Sequence, residues 1–207
     1  VSTRAALSAA NALSDYPSEE LLRRAEFNPH TKDRYVESSG TEVVIEGQRK
    51  LYLHPDGTLS YSGDAAEEPS LFAVAAADAA HISRAELCAA ARSLIGALTQ
   101  GRIGDAALYL SGIEAKENSA VVTFDYMVDG TPVRFANGAH AAEVRIEGQS
   151  ITAFSLKLRR YVLTEQDSLL LPLALSRAIA QRYPGCELSV AYIDPFGDSV
   201  SASWVAD

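Results

Sequence analysis

The chain has 207 residues, of which 47% are hydrophobic and 22% are charged. This length and composition suffice to bury a core, and they exclude wholesale disorder, a collagen-like repeat and a disulfide-dense scaffold. The formal net charge of −9 repels nucleic-acid phosphates and anionic lipid surfaces, and we find no basic patch in the sequence that would override it. No apolar run approaches the roughly 18 to 20 residues that span a bilayer. We therefore predict a globular chain with no nucleic-acid partner and no membrane span of its own.

The N-terminal part of the chain predicts two helices. Ser2 or Thr3 can cap a helix over the alanine-rich stretch Arg4–Leu13, because alanine is the best helix former. Pro17 suits the first turn of a second short helix that extends to Phe27. Together they form a predicted helical arm, residues 1–36.

Three strands follow the arm. They are Thr41–Ile45, Arg49–Leu53 and Thr58–Ser62, separated by turns at Glu46-Gly47 and at His54-Pro55-Asp56-Gly57. The acidic stretch Gly63–Pro69 predicts a solvated loop. The low-complexity stretch Ala73–Ala80 does not indicate disorder, because it consists mainly of alanine.

The clearest helix signal begins at Ser83. Ser83 and Glu86 fit a capping box, in which each side chain accepts a hydrogen bond from the other residue's backbone N–H. Five apolar residues then share one face at helical spacing: Leu87, Ala91, Leu94, Ile95 and Leu98. This pattern predicts an amphipathic helix over Arg84–Thr99.

The remainder of the chain predicts seven strands and one further helix. The strands are Ala106–Ile113, Ala120–Val128, Thr131–Phe135, Ala142–Ile146, Ile151–Arg159, Glu187–Ile193 and Val200–Val205. Asp129-Gly130 is a strong two-residue hairpin signal. The helix is predicted over Pro172–Tyr183, where Leu175 and Ile179 share a stripe with Arg182.

The order of these elements indicates the fold class. Strands, helix, strands, helix and strands without a βαβ rhythm predict an α+β fold, with antiparallel meander sheets and segregated helices. The heptapeptide Glu42–Gln48 recurs as Glu143–Gln149 with six of seven residues identical. The recurrence fits two related α+β halves, residues 37–138 and 139–207, packed as one unit. It equally fits a chance recurrence of one strand-turn-strand, and both interpretations stay open.

The residue types that carry catalysis lack the spacing that catalysis needs. The sequence contains no GxSxG elbow, no P-loop, no GxGxxG after a strand and no HExxH. The four histidines are widely spaced and sit beside turns or helix boundaries, which favours surface or capping roles: His30, His54, His81 and His140. We therefore predict that the chain is not an enzyme and has no catalytic, cofactor-binding or metal-binding residue.

Two groups of acidic residues are candidates for a site. Asp125 and Asp129 can approach each other only across a hairpin, and Asp129 is better explained by its turn. The cluster Asp64, Glu67 and Glu68 lacks the ligand spacing of a cation site, which favours a solvated loop.

Cysteines and aromatic residues are assigned to the core. Cys88 and Cys186 form no CxxC motif, and two separate buried thiols are favoured over a disulfide. Several aromatic rings on the later strands could line a binding platform, but core packing is favoured: Phe124, Tyr126, Tyr192 and Trp204.

The C-terminal portion resembles a known family. Val121–Val133, which reads VVTFDYMVDGTPV, and the strands Ala142–Ile146 and Ile151–Leu156 resemble the meander of the YycH/YycI family and its PepSY-like relatives. The helix Leu175–Tyr183 and the closing strand around Trp204 extend the resemblance over residues 83–207.

The resemblance implies an extracytoplasmic, non-catalytic domain tethered by an N-terminal membrane helix. Such a domain helps to regulate a membrane sensor histidine kinase of a cell-wall-linked two-component system in Gram-positive bacteria, without a cofactor. The chain begins at Val1 rather than methionine, and we expect the anchor upstream of it. Two other interpretations stay open: a PepSY-type module that binds a peptide at an exposed sheet face or edge, and a small hydrolase assembled from scattered carboxylates.

Overall fold

The computed structural model describes residues 2–64, 74, 82–117, 119–183 and 185–206. The helices are α1 (Ser18–Arg24), α2 (Arg84–Thr99) and α3 (Leu173–Ala180). The strands are β1 (Ser2–Asn11), β2 (Arg34–Val36), β3 (Glu42–Glu46), β4 (Arg49–Leu53), β5 (Thr58–Ser62), β6 (Ala106–Lys116), β7 (Ser119–Val128), β8 (Thr131–Phe135), β9 (Ala142–Glu147), β10 (Ser150–Lys157), β11 (Arg159–Leu170), β12 (Leu188–Asp194) and β13 (Ser199–Ala206). Most of the predicted loop Gly63–Pro69 and of the stretch Ala73–Ala80 lies outside the described residues.

The strands form one mixed sheet that divides at β7. The sheet order is β11-β1-β13-β12-β8-β7-β9-β10-β5-β4-β3-β2, and β6 pairs with β7 outside this path. β6 pairs along the length of β7, whereas β8 pairs with the end of β7 at Tyr126–Val128 and β9 with its beginning at Ser119–Phe124. Among the described strands, the pairing of β12 with β8 is parallel and the other ladders are antiparallel.

Each arm of the sheet has its own hydrophobic core. The arm β9-β10-β5-β4-β3-β2 is covered by α1 and α2, and its core includes Val44, Leu51, Leu94, Leu98, Val144 and Phe154. The other arm curls until β11 meets the start of β6, where the Asp105 amide donates to the Tyr161 carbonyl at 2.8 Å. It encloses a second core that includes Leu7, Tyr126, Val133, Tyr161, Tyr192 and Val200.

The predicted helix over Arg4–Leu13 is wrong, because this segment belongs to β1 as far as Asn11. Leu7 and Ala9 are buried while Ser8 and Ala10 are exposed, so burial alternates as on a strand. β1 pairs with β11 from Ser2 opposite Leu170 to Asn11 opposite Arg159. This long ladder overrides helix propensities that differ by less than about 1 kcal/mol per residue. The second helix of the predicted arm is confirmed as α1, which buries Leu21 and Leu22.

The helix predicted over Arg84–Thr99 is confirmed as α2. The Ser83 hydroxyl accepts from the Glu86 amide at 3.2 Å, and the Glu86 carboxylate accepts from the Ser83 amide at 2.8 Å, which completes the capping box. All five residues of the predicted apolar face are buried: Leu87, Ala91, Leu94, Ile95 and Leu98. At the other end of α2, Arg24 of α1 donates to the Gln100 carbonyl at 2.8 Å.

The predicted α+β fold of meander sheets with segregated, PepSY-like helices is wrong. Strands make up 51% of the chain and the three short helices 17%. One cause is that β1 lies where the sequence predicted a helix. In addition, most of the long β11 lies where the sequence predicted no element. The predicted strand Ile151–Arg159 is in fact β10 and the start of β11, separated at Leu158. The other cause is that β8 and β9 share one edge of β7, so β9 pairs with β7 and does not follow β8 in the sheet.

The two copies of the repeated heptapeptide form similar hairpins. β3 and β4 join at Gly47 with φ +62°, and β9 and β10 join at Gly148 with φ +57°. Strands of the predicted segments 1–36, 37–138 and 139–207 pair with one another: β1 pairs with β11 and β13, and β5 pairs with β10.

Within the described residues, no helix combines the length and apolarity needed to cross a bilayer.

Candidate functional site

A buried ion pair joins β11 to the hairpin of β12 and β13. Arg159 Nε and Nη2 donate to the two carboxylate oxygens of Asp194 at 3.0 Å each, and Nη2 also donates to the Gly197 carbonyl at 2.6 Å. The Tyr161 hydroxyl donates to Asp194 Oδ2 at 2.7 Å. The Asp194 side chain is fully buried and that of Arg159 is 6% exposed. The charges are therefore removed from water and compensated by each other and by hydrogen bonds.

Two buried tyrosines complete this network. Burial raises the pKa of Tyr161 far above its ordinary value, and the hydrogen bond to Asp194 adds to the shift. Burial likewise raises the pKa of Tyr126, whose hydroxyl donates to the Lys157 carbonyl at 2.7 Å. Both phenols therefore stay neutral at physiological pH. Because the network is closed to solvent and its polar groups are paired, we assign it a structural role.

Sequence reasoning missed both partners of this ion pair. Asp194 precedes Pro195 in a turn, and its carboxylate accepts a hydrogen bond from the Phe196 amide at 2.7 Å, which is a local signal for a turn residue. Nothing local connects it with Arg159, which lies on another strand.

Two polar clusters lie on the sheet face opposite to the α1–α2 core. His140 Nδ1 lies 3.0 Å from the Asp125 carboxylate. In the other cluster, His54 Nε2 lies 2.9 Å from the Ser60 hydroxyl and its Nδ1 lies 3.2 Å from the Thr41 hydroxyl. A hydrolytic array needs a nucleophile, a base and an orienting group around one reacting position. Here the serine lies against His54 and the carboxylate lies against His140. Neither histidine in these two clusters therefore has both partners.

The other sequence candidates do not converge on one place. Asp129 is an exposed turn residue with φ +46°, as predicted from its turn, and Asp125 contacts His140 instead. Both thiols are free, as predicted, but Cys88 is only partly buried and Cys186 is exposed, so the predicted burial of both is wrong. His81, Glu67 and Glu68 lie outside the described residues. Over the described ranges, no three histidine, cysteine or acidic residues come together as a metal site.

The predicted core role of the aromatic residues is confirmed for three of the four. Phe124 is buried in the core under α2, and Tyr126 and Tyr192 are buried in the second core. Trp204 is half-buried at the margin of the second core. Its indole Nε1 donates to the Leu171 carbonyl at 2.8 Å, which fixes the chain just before α3.

An exposed apolar surface surrounds α3. Six large apolar side chains within residues 169–183 are between 39% and 79% exposed: Leu169, Leu171, Leu173, Leu175, Ile179 and Tyr183. We call these six side chains the α3 surface. Ser176 is the one buried residue of α3, so the stripe of Leu175 and Ile179 faces solvent and not a core. The helix itself is shorter than the predicted Pro172–Tyr183.

The α3 surface borders an open depression. The depression has a volume of about 500 Å³ between α3 and the start of β12, and its walls include Leu173, Arg177, Tyr183 and Leu188. At the far end of the sheet, a smaller apolar exposure consists of Tyr35 and Val36 on the three-residue edge strand β2.

Exposed apolar side chains grouped in this way are typical of an interaction site, since isolated ones need no explanation but a cluster does. Comparisons with family models, with curated proteins and with solved structures found no match to this chain. Because its exposed apolar side chains are grouped, we take the α3 surface as the candidate functional site, a site for binding.

Proposed function

We propose that this chain is a non-catalytic regulatory domain that acts at a membrane. In this proposal it is the extracytoplasmic part of a membrane-anchored protein and modulates a sensor histidine kinase. The observation that carries the proposal is the α3 surface. In the proposal this surface holds the domain at the membrane in which the kinase lies.

The α3 surface supports docking because exposing its apolar side chains to water costs free energy, and a partner that covers them removes this cost. Removing apolar surface from water is worth roughly 25 cal/mol per Å². Leu175 and Ile179 could have packed on the sheet, as the apolar face of α2 does, but they remain in solvent. The polar clusters at His54 and His140 offer no comparable binding surface, and neither completes a hydrolytic array.

The choice of a sensor kinase as the target comes from the sequence resemblance of Val121–Val133. This segment forms β7 and β8, and alternate residues of it lie in the two cores. In our proposal these residues build the sheet, and the α3 surface holds the domain at the membrane beside its partner.

Reconstituted kinases test the proposal. Each sensor histidine kinase of the source organism is placed singly in proteoliposomes, the chain is added to the extracytoplasmic side, and autophosphorylation is measured. We expect a saturable change in rate for one kinase. The double variant Leu175→Gln/Ile179→Gln should lose this effect. The matched control Tyr35→Ser/Val36→Ser, which changes two exposed apolar side chains at the other end of the sheet, should keep it.

Two results would count against the proposal. If no kinase responds to the chain, the regulatory role is wrong. If the chain hydrolyses an ester, peptide or glycoside substrate and His54→Ala or His140→Ala abolishes the activity, the chain is an enzyme and the non-catalytic assignment is wrong.

A further inference from the structure

We propose that the α3 surface rests on an anionic lipid headgroup layer, so that the domain lies on the membrane through Leu175, Ile179 and Tyr183 with Arg177 and Arg182 beside them. This inference deepens the proposed function and rests on it, because it names the occupant of the same surface.

The first observation is the distribution of side chains around α3. Leu175 and Ile179 are four positions apart and therefore share one flank of the helix, whereas Arg177 shares the opposite flank with Leu173. All three apolar side chains are exposed. A helix that exposes apolar side chains with arginine among them can lie in the plane of a membrane interface, with its apolar residues among the acyl chains.

The second observation is the local charge. Residues 169–183 contain two arginines and no acidic residue, whereas the whole chain carries a net charge of −9. Arg177 and Arg182 are both exposed, and neither is ion-paired with another residue in the described part of the chain. Glu187 lines the same depression as Arg177, so two arginines and one acidic residue lie where the apolar side chains are grouped. Anionic headgroups attract such a segment, and the acidic remainder of the domain is repelled from them.

The same charges argue against a second copy of the chain as the occupant. In a twofold contact the same patch meets itself. Arg177 and Arg182 of both copies would then lie in one contact, four arginines in all, with one Glu187 carboxylate per copy lining the depression beside them. Like charges in a closed contact oppose binding.

Aromatic and arginine residues at the end of the segment fit a lipid interface as well. Tyr183 is 62% exposed, and a tyrosine ring prefers the headgroup level, where its body is apolar and its hydroxyl is hydrated. The long aliphatic stem of Arg182 can lie along apolar surface while its guanidinium reaches phosphate.

Vesicle flotation tests the inference with the full chain and without any kinase. The probes are vesicles of phosphatidylcholine alone and of phosphatidylcholine with phosphatidylglycerol. We expect the chain to float with the phosphatidylglycerol vesicles and to dissociate as salt is raised. Arg177→Gln/Arg182→Gln should weaken binding about 10- to 30-fold, because each basic residue contributes on the order of 1 kcal/mol at an anionic surface.

A second pair of variants tests the contribution of the apolar side chains to vesicle binding. Leu175→Gln/Ile179→Gln should abolish flotation, and Tyr35→Ser/Val36→Ser should leave it unchanged. All of these positions are exposed, and far-ultraviolet circular dichroism checks that each variant is folded.

Three results would overturn the inference. The first is equal binding to both kinds of vesicle. The second is absence of vesicle binding together with a dimer, detected by light scattering, that Leu175→Gln/Ile179→Gln dissociates, which would make a second copy the occupant. The third is absence of vesicle binding while the kinase response in proteoliposomes still depends on Leu175 and Ile179, which would make a protein the occupant and leave the proposed function standing. Vesicle binding without any kinase response supports the lipid contact and removes the proposed function.

Discussion

Asp194→Asn removes the negative charge from a fully buried ion pair and leaves Arg159 without its counter-ion. The wild-type carboxylate accepts two hydrogen bonds from Arg159, one from Tyr161 and one from the Phe196 amide. Arg159 is 6% exposed, so water cannot replace the lost partner. Breaking a buried pair on one side costs about 3–5 kcal/mol. For a chain of this size, this corresponds to a Tm lower by roughly 6 to 20 °C.

Urea and thermal unfolding at neutral pH measure this effect. The matched control is Asp198→Asn, because Asp198 belongs to the same turn and carries the same charge but is exposed. We expect the control to change the free energy of unfolding by no more than about 0.5 kcal/mol. If Asp194→Asn costs as little as the control, the ion pair does not hold β11 to the hairpin of β12 and β13.

Three further predictions concern local features. Ser83→Ala should lower the free energy of unfolding by about 1 kcal/mol through loss of the helix cap, and an unchanged Tm would contradict this. Gly104→Ala should destabilise the chain more than Gly101→Ala. Both glycines have positive φ, but an added Cβ at Gly104 would collide with the Tyr161 carbonyl and one at Gly101 meets nothing within 4 Å; equal Tm values would refute the close contact. Because the pKa values of Tyr126 and Tyr161 are raised, the unfolded chain loses these protons first as pH rises above about 10, so stability should fall there by up to about 1.4 kcal/mol per pH unit for each tyrosine. Urea melts at alkaline pH that show no such decline would contradict the burial.

Features with local causes could be predicted from the sequence. The capping box at Ser83 and the apolar periodicity after it identify α2, because both depend on residues within a few turns of one helix. The turn at Asp129-Gly130 needs positive φ at both positions, and these residues supply it at +46° and +70°. The strands Arg49–Leu53, Thr58–Ser62 and Thr131–Phe135 have the predicted bounds for the same reason.

Features with distant causes could not be predicted. β1 is a strand because Ser2–Asn11 pairs with Arg159–Leu170. The alanine-rich stretch itself contains no signal that identifies this pairing strand. The position of β9 is likewise set by sheet assembly, because β9 pairs with the same edge of β7 as β8 does, and the turns between consecutive strands do not indicate this.

The exposure of the α3 surface could not be predicted from the sequence for a different reason. The spacing of Leu175 and Ile179 shows that α3 has an apolar flank, just as the spacing of Leu94 and Leu98 does for α2. Periodicity identifies an apolar flank, but it does not tell whether the rest of the chain covers it. In this fold the sheet covers the flank of α2 and leaves that of α3 in solvent.

Amide hydrogen exchange, followed by mass spectrometry on the chain with and without kinase-containing proteoliposomes, tests the role of the α3 surface most directly. Docking through this surface slows exchange of the amides it covers. We expect proteoliposomes to protect peptides spanning residues 169–183 and to leave those of β2 and of the strands near His54 unchanged. Protection at β2 or around His54, with residues 169–183 exchanging as in the free chain, would contradict it.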